Sequence, residues 1–182
     1  LGIEDASRAE SGFVAELIDA AVAQGVGRIR LADTVGVLTP GMISSLVARQ
    51  SELHPGVEFA FHGHNDFGMA TANAVSALDA GAHWVDVTVL GLGERAGCAR
   101  LEEVAAQLTL VQGRKAYRLD RLPSLCFLVA GASGREIPVN HPLVGRAVFA
   151  CESGLHVHGL LTEPAVYEPF PPEMVNAKRS VF

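Results

Sequence analysis

The sequence is poor in the features that would staple, anchor or export a chain. It holds three cysteines, Cys98, Cys126 and Cys151, an odd number with no C-x-x-C spacing. That argues against a disulfide framework and fits a reduced, cytoplasmic compartment. No apolar run approaches the roughly 18 residues of a membrane span, and no basic, apolar and cleavage-site series marks a secretion signal. No membrane partner is expected. Basic residues are also short: 14 Lys+Arg against 20 Asp+Glu leave a net charge of −6. A nucleic-acid partner is therefore not expected. An anionic small molecule is, because local arginines or a metal can reverse the local field. An initial Met is lacking too. Leu1-Gly2-Ile3-Glu4-Asp5 reads as the end of a strand, so a piece of a longer protein is expected. The 182 residues still suffice for a domain with its own core.

What is present is a regular alternation. Phe13, Val14, Leu17, Ile18 and Ala21 mark one face of a helix over 11–23, closed by Gln24-Gly25. Val26 to Ala32 reads as a buried strand. Thr39-Pro40 is a cap followed by a first-turn proline, opening a helix that runs to about Leu53. His54-Pro55-Gly56 stops it. Val57 to His62 is the next strand, Met69 to Ala80 the next helix, Trp84 to Leu90 a third strand, and Leu101 to Val111 a further helix. Strand, loop and helix recur about every 30 residues, the size of a βαβ unit. No other repeat is evident.

Parallel strands with covering helices leave a doubly wound sheet or a (β/α)8 barrel. Polar residues follow three successive strands: Asp33 and Thr34, His62 and His64, Glu94 and Arg95. A barrel gathers such loops around one mouth, whereas an open sheet concentrates chemistry at one switch point. The expected fold is α/β, the C-terminal part of a (β/α)8 TIM barrel, about strands 5/6 to 8. Residues 1–113 form that partial barrel. Residues 114–182 read as an appended, mainly helical subdomain: a helix over 119–132, an extended 137–142 and a proline-rich loop over 163–173.

The densest chemistry lies in Phe59-Ala60-Phe61-His62-Gly63-His64-Asn65-Asp66-Phe67-Gly68. On a strand, residues i and i+2 share a face, roughly 6–7 Å apart. His62 and His64 therefore project side by side, with Gly63 leaving room between them. Two such imidazoles can share one ion at about 2.0–2.1 Å per Zn–N bond. The competing reading is a pair of strand-end histidines bonded to water or backbone.

Other candidates are weaker. Gly91-Leu92-Gly93-Glu94-Arg95-Ala96 matches the permissive dinucleotide fingerprint G-x-G-x-x-A. That fingerprint normally opens a nucleotide domain, and here it follows two βα units and carries a carboxylate. A mobile glycine loop at the barrel mouth is the better reading, with Arg95 facing an anionic substrate or pairing with Glu94. Thr34 alone reads as a turn residue. His156 and His158 form a second H-x-H with no clear strand before it, which a surface loop would also explain. His54, His83 and His141 sit at turn signals and read as structural, and Cys126 as helix core.

Phe59-x-x-His62-x-His64-Asn65-Asp66-x-Gly68-x-Ala70-x-Ala72 resembles the signature of the 2-isopropylmalate/homocitrate synthase family. Glu4-Asp5-Ala6-Ser7-Arg8, Leu31-Ala32-Asp33-Thr34-Val35-Gly36, Gly91-Leu92-Gly93-Glu94-Arg95-Ala96-Gly97 and Glu152-Ser153-Gly154-Leu155-His156 agree. The resemblance covers nearly the whole chain. Arg121-Leu122-Pro123, Ala132-Ser133-Gly134-Arg135 and Gly159-Leu160-Leu161 are most similar to the nitrogen-fixation type of homocitrate synthase.

The resemblance implies a metal-dependent acyltransferase that condenses acetyl-CoA with 2-oxoglutarate, a 2-oxo dicarboxylic acid, for nitrogenase cofactor synthesis. It implies that His62 and His64 ligate a divalent metal (Mg, Mn, Fe or Zn), that Thr34 binds the 2-oxo acid carboxylate, and that Glu4 sits near the reacting centre. His156 would reach the site of a partner subunit in a homodimer with exchanged subdomains and assist proton transfer. The family's aspartate ligand and its neighbouring arginine are expected on a first strand outside this sequence. Two positions depart from the pattern. Cys98 stands where asparagine is usual, so a softer thiolate either changes the metal preference or leaves coordination to water. His158 stands where an acidic residue is common. The alternatives are 2-isopropylmalate synthase, which takes a branched 2-oxo acid, and a non-catalytic metal-binding module. A half barrel leaves open edges and half a site, so the 182 residues alone are expected to be inactive.

Overall fold

Glycine and proline punctuation sets the element ends in the computed structural model, which describes residues 1–114 and 117–181. The chain forms two compact units, Leu1–Val104 and Ala105–Phe182. In the first, strands β1 (Gly2–Ile3), β2 (Arg28–Asp33), β3 (Glu58–Gly63) and β4 (Trp84–Val85) alternate with helices α1 (Ser11–Ala23), α2 (Pro40–Leu53) and α3 (Ala70–Asp79). Among the described residues the strands pair in chain order, β1-β2-β3-β4, all parallel. Consecutive parallel neighbours require a crossover each, and the three helices supply them.

The two faces of this sheet differ. Ile3, Ile29, Leu31 and Phe59 pack with Val14 and Ile18 of α1 into the core. Strand alternation sends the intervening residues to the opposite face. There Arg28 donates to Glu58 (2.8 Å), and its guanidinium lies 4.6 Å from the Trp84 ring centroid. The buried Asp33 carboxylate stays on the core side and accepts from the Val37 and Leu38 amides. It shapes the turn that follows β2.

Two expectations need correction. The strand expected over 84–90 ends at Val85. The Thr88 amide donates to the Ala99 carbonyl and the Leu101 amide to that of Thr88, while Leu90 and Gly91 take left-handed conformations (φ 57° and 66°). The chain thus leaves the sheet to pair with its own return segment. The helix expected over 101–111 is α-helical only as α4 (Leu101–Ala106), then widens to a π-turn over Gln107–Val111. Of the readings left open for the second H-x-H, the surface loop does not hold, since Gly154–Thr162 is helical.

The second unit contains α5 (Leu122–Ser133), β5 (Ala150–Cys151), α6 (Gly154–Thr162) and β6 (Ser180–Val181), with β5 and β6 paired in parallel. Gly134 closes α5 in the left-handed conformation, the usual glycine ending. Leu119, Leu122, Phe149 and Val175 form its core, and Phe149 meets Phe170 edge-on at 5.5 Å. Two single turns, Pro164–Val166 and Pro172–Val175, interrupt the expected 163–173 loop. Among the described residues no helix is long and apolar enough to cross a membrane.

Phe59 is fully buried and Phe67 is 72% exposed. Phe59→Ala is expected to cost about 3–5 kcal/mol in urea unfolding, and Phe67→Ala to stay within about 0.5 kcal/mol of the wild type.

Candidate metal centre

β3 alternates Phe59 and Phe61 into the core with Ala60 and His62 on the other face, and His64 continues that parity one step past the strand end. The His62 and His64 rings lie 4.9 Å apart, centroid to centroid, at 76°. Gly63 does not serve to separate them. A Cβ there would meet the Phe61 ring at 2.7 Å, so the bare position seats a core phenyl group.

Cys98 reaches the histidines through backbone contacts. Gly97 has φ 90°, and a side chain on it would run into the Gly91 carbonyl, so the return turn requires glycine. The Cys98 amide donates to the Gly91 carbonyl (3.1 Å), and the Asn65 amide donates to the Gly97 carbonyl (2.8 Å). His64 and Cys98 form an antiparallel bridge. One donor atom each from His62, His64 and Cys98 lie within 4.8 Å of one another. That is close to the span of a single ion with bonds of about 2.0–2.3 Å. Burial pushes the Cys98 thiol pKa up, Asp86 adds to the rise, and Arg95 opposes it.

Asp86 was missed in the sequence. Its Oδ2 lies 3.0 Å from His62 Nδ1 and 3.3 Å from Arg30 Nη1. A carboxylate only accepts, so Nδ1 carries the hydrogen, and Nε2 is the nitrogen left to bind a ligand. The readable signal was spacing: Asp86 lies two residues past Trp84, on the same side of the strand expected there. His64 Nδ1 is buried and has no hydrogen-bond partner among the described residues. The donor set and this orphaned nitrogen both fit a bound divalent ion.

The remaining candidates lie on neighbouring turns. Thr34 Oγ1 accepts from the Asp5 amide (2.7 Å) and donates to Glu4 Oε2 (3.2 Å). Arg95 hydrogen-bonds Asp66, not Glu94. Nε and Nη2 donate to the two carboxylate oxygens (2.7 and 2.9 Å), and Nη2 also donates to the Thr34 carbonyl (2.8 Å). Arg95 thus joins three loops, and Asp66, to which the sequence reading gave no role of its own, is its carboxylate partner. The Arg95 guanidinium holds the Asp66 carboxyl below its ordinary range. In the second unit His156 is exposed on α6, its ring stacked 4.4 Å from that of Tyr167. On a helix, residues i and i+2 do not face each other, so His156 and His158 do not form a pair like the first.

The family model described as HMGL-like matches residues 1–129, and one described as homocitrate synthase post-HMGL domain-like matches residues 143–182. The chain belongs to the HMGL-like family. Among relatives of this HMGL-like chain, the homocitrate synthase of Frankia alni is 47% identical over 180 residues, covering 98% of this chain and 51% of that protein. The 2-isopropylmalate synthase 2 of Caldanaerobacter subterraneus subsp. tengcongensis is 44% identical over 184 residues, covering 98% and 46%. The HMG-CoA lyase of Bacillus subtilis superposes with a TM-score of 0.64 at 25% identity, covering 71% of this chain and 46% of that one. The chain spans about half the length of the curated relatives it matches. The parallel β/α succession is part of a (β/α)8 barrel.

Asp86→Asn is expected to weaken divalent-metal binding about 10–100-fold in a chelator-competition titration, because the His62 ring loses its orienting carboxylate. The Arg95–Asp66 pair has a pH signature. A carboxyl depressed on folding contributes stability above its unfolded value of about 3.9 and loses it as the pH falls through the lower folded value. Arg95→Gln is therefore expected to lower the urea midpoint at pH 7, with the gap closing only below about pH 4 and shrinking in high salt.

Proposed function

We propose that the chain belongs to an acyltransferase that condenses acetyl-CoA with 2-oxoglutarate to give homocitrate and CoA. The observation that carries this reading is the His62, His64 and Cys98 cluster at the strand ends of a barrel segment. The 47% identity to a homocitrate synthase supports the choice of reaction. His62 and His64 hold the divalent metal. When bound, that ion supplies Lewis-acid polarisation of the 2-oxo acid carbonyl.

This chain's own residues do the rest. Thr34 turns its hydroxyl hydrogen from Glu4 to the carboxylate of the 2-oxo acid, and Glu4 then faces the reacting carbons. His156 takes part in proton transfer from the acetyl-CoA methyl group at the site of a partner subunit, in a homodimer with exchanged subdomains. The resulting enolate carbon bonds to the keto carbon, and water then cleaves the thioester, releasing CoA. Arg95 braces the rim loops through Asp66 and the Thr34 carbonyl, and so holds Thr34 in place for the anionic substrate. Homocitrate made this way would serve nitrogenase cofactor assembly in the cytoplasm. The second reading, 2-isopropylmalate synthase, is favoured by the 44% identical relative of that name.

Free CoA release by the complete protein, measured with each 2-oxo acid, separates the two. Turnover with 2-oxoglutarate is expected, and turnover only with the branched 2-oxoisovalerate would replace homocitrate synthesis by the second reading. His62→Ala is expected to lower metal content and abolish CoA release. Retained activity at full metal occupancy would overturn the metal role of this histidine.

A further inference from the structure

We infer that Cys98 is a third protein ligand of the ion held by His62 and His64, and that its sulfur makes the site select a thiophilic ion of the zinc, cobalt or ferrous type over magnesium. This rests on the two-histidine metal reading above and goes beyond it.

Four observations place the sulfur there by construction. The Cys98 side chain is one of the three whose donor atoms lie within 4.8 Å of one another. Its backbone is tied on both sides, by its bridge to His64 and by its amide to the Gly91 carbonyl. Space is kept for the sulfur: a Cβ on Gly93 would meet Cys98 Sγ at 2.6 Å. The residue is 6% exposed and free of disulfide bonding, and His64, its bridge partner, keeps a buried Nδ1 with no hydrogen-bond partner among the described residues. A buried polar nitrogen without a partner is costly, and an ion that His64 held through Nδ1 would satisfy it.

The donor chemistry then selects the ion. Magnesium demands oxygen ligands in near-ideal octahedral geometry. Two imidazoles and one thiolate, joined by the aspartate expected on a first strand outside this sequence, make a donor set that suits zinc and its softer neighbours. Binding forms the sulfur–metal bond and releases the thiol proton to solvent, with no change of oxidation state.

The probe is cobalt(II), titrated into the complete protein after chelation. The wild type is expected to develop a thiolate-to-cobalt charge-transfer band that saturates at one equivalent. Cys98→Asn is expected to bind cobalt without that band, and its preference for zinc over magnesium to fall about tenfold or more. Cobalt binding by the wild type without the band, or a band unchanged in Cys98→Asn, would overturn the sulfur ligand and leave the two histidines standing. No cobalt binding by the wild type would overturn both. A second measurement needs no variant. Zinc is expected to slow alkylation of Cys98 in the wild type, read by peptide mapping, and magnesium is not. Equal alkylation with and without zinc would sink the inference.

Discussion

The hydrogen bond from the Asn65 amide to the Gly97 carbonyl, with the His64–Cys98 bridge beside it, is the constraint on which the site depends. It fastens the end of β3 to a loop some thirty residues further on. Without it the two histidines would be a strand-end pair and the cysteine a residue of a glycine-rich turn. With it, three donors converge. Backbone pairing does this better than side-chain contact, because it fixes the Cα positions from which the donors project. The glycines at 91 and 97 are what let the chain double back closely enough.

Two polar arrangements flank that tie. On the open face of the sheet, Arg30, Asp86 and His62 form a chain that starts within β2 and ends at the metal candidates. It assigns the hydrogen of the His62 ring and so decides which nitrogen faces outward. At the rim, Arg95 gathers Asp66 and the Thr34 carbonyl. Both arginines are partly exposed, so their worth lies in geometry more than in raw stability. The barrel supplies the platform, and these charges orient what stands on it.

The helices α1, α2 and α3 and the strands β2 and β3 were legible because each is a local pattern: an apolar face or an apolar run, ended by Gln24-Gly25 or His54-Pro55-Gly56. The strand over 84–90 was misread because Val85, Val87 and Val89 alternate as a strand does. Thr88 pairs instead with Ala99 and Leu101, a contact that local patterning cannot report. Gly63 was assigned to the wrong neighbour for a related reason. Its bare position answers to Phe61, two residues back on its own face of the strand and away from the histidines. The second H-x-H shows the limit of a motif: the same spacing on a strand pairs the rings, and on α6 it separates them.

Of the site, the residue types and the strand spacing of His62 and His64 were in the sequence, as was the departure at Cys98. The partners of Asp86 and Asp66 were not, since each acquires its role from a residue 24 or 29 positions away. By itself the sequence determined the alternation of strands and helices and the one place where two imidazoles share a face. Those follow from period, side-chain shape and the backbone limits of glycine and proline, all of which act over a few residues. Only the tertiary structure decided which ring nitrogen is left free, what Arg95 holds and that a sulfur joins the histidines. Those depend on chain segments brought together by parallel pairing and loop return, and distance along the chain carries no trace of them.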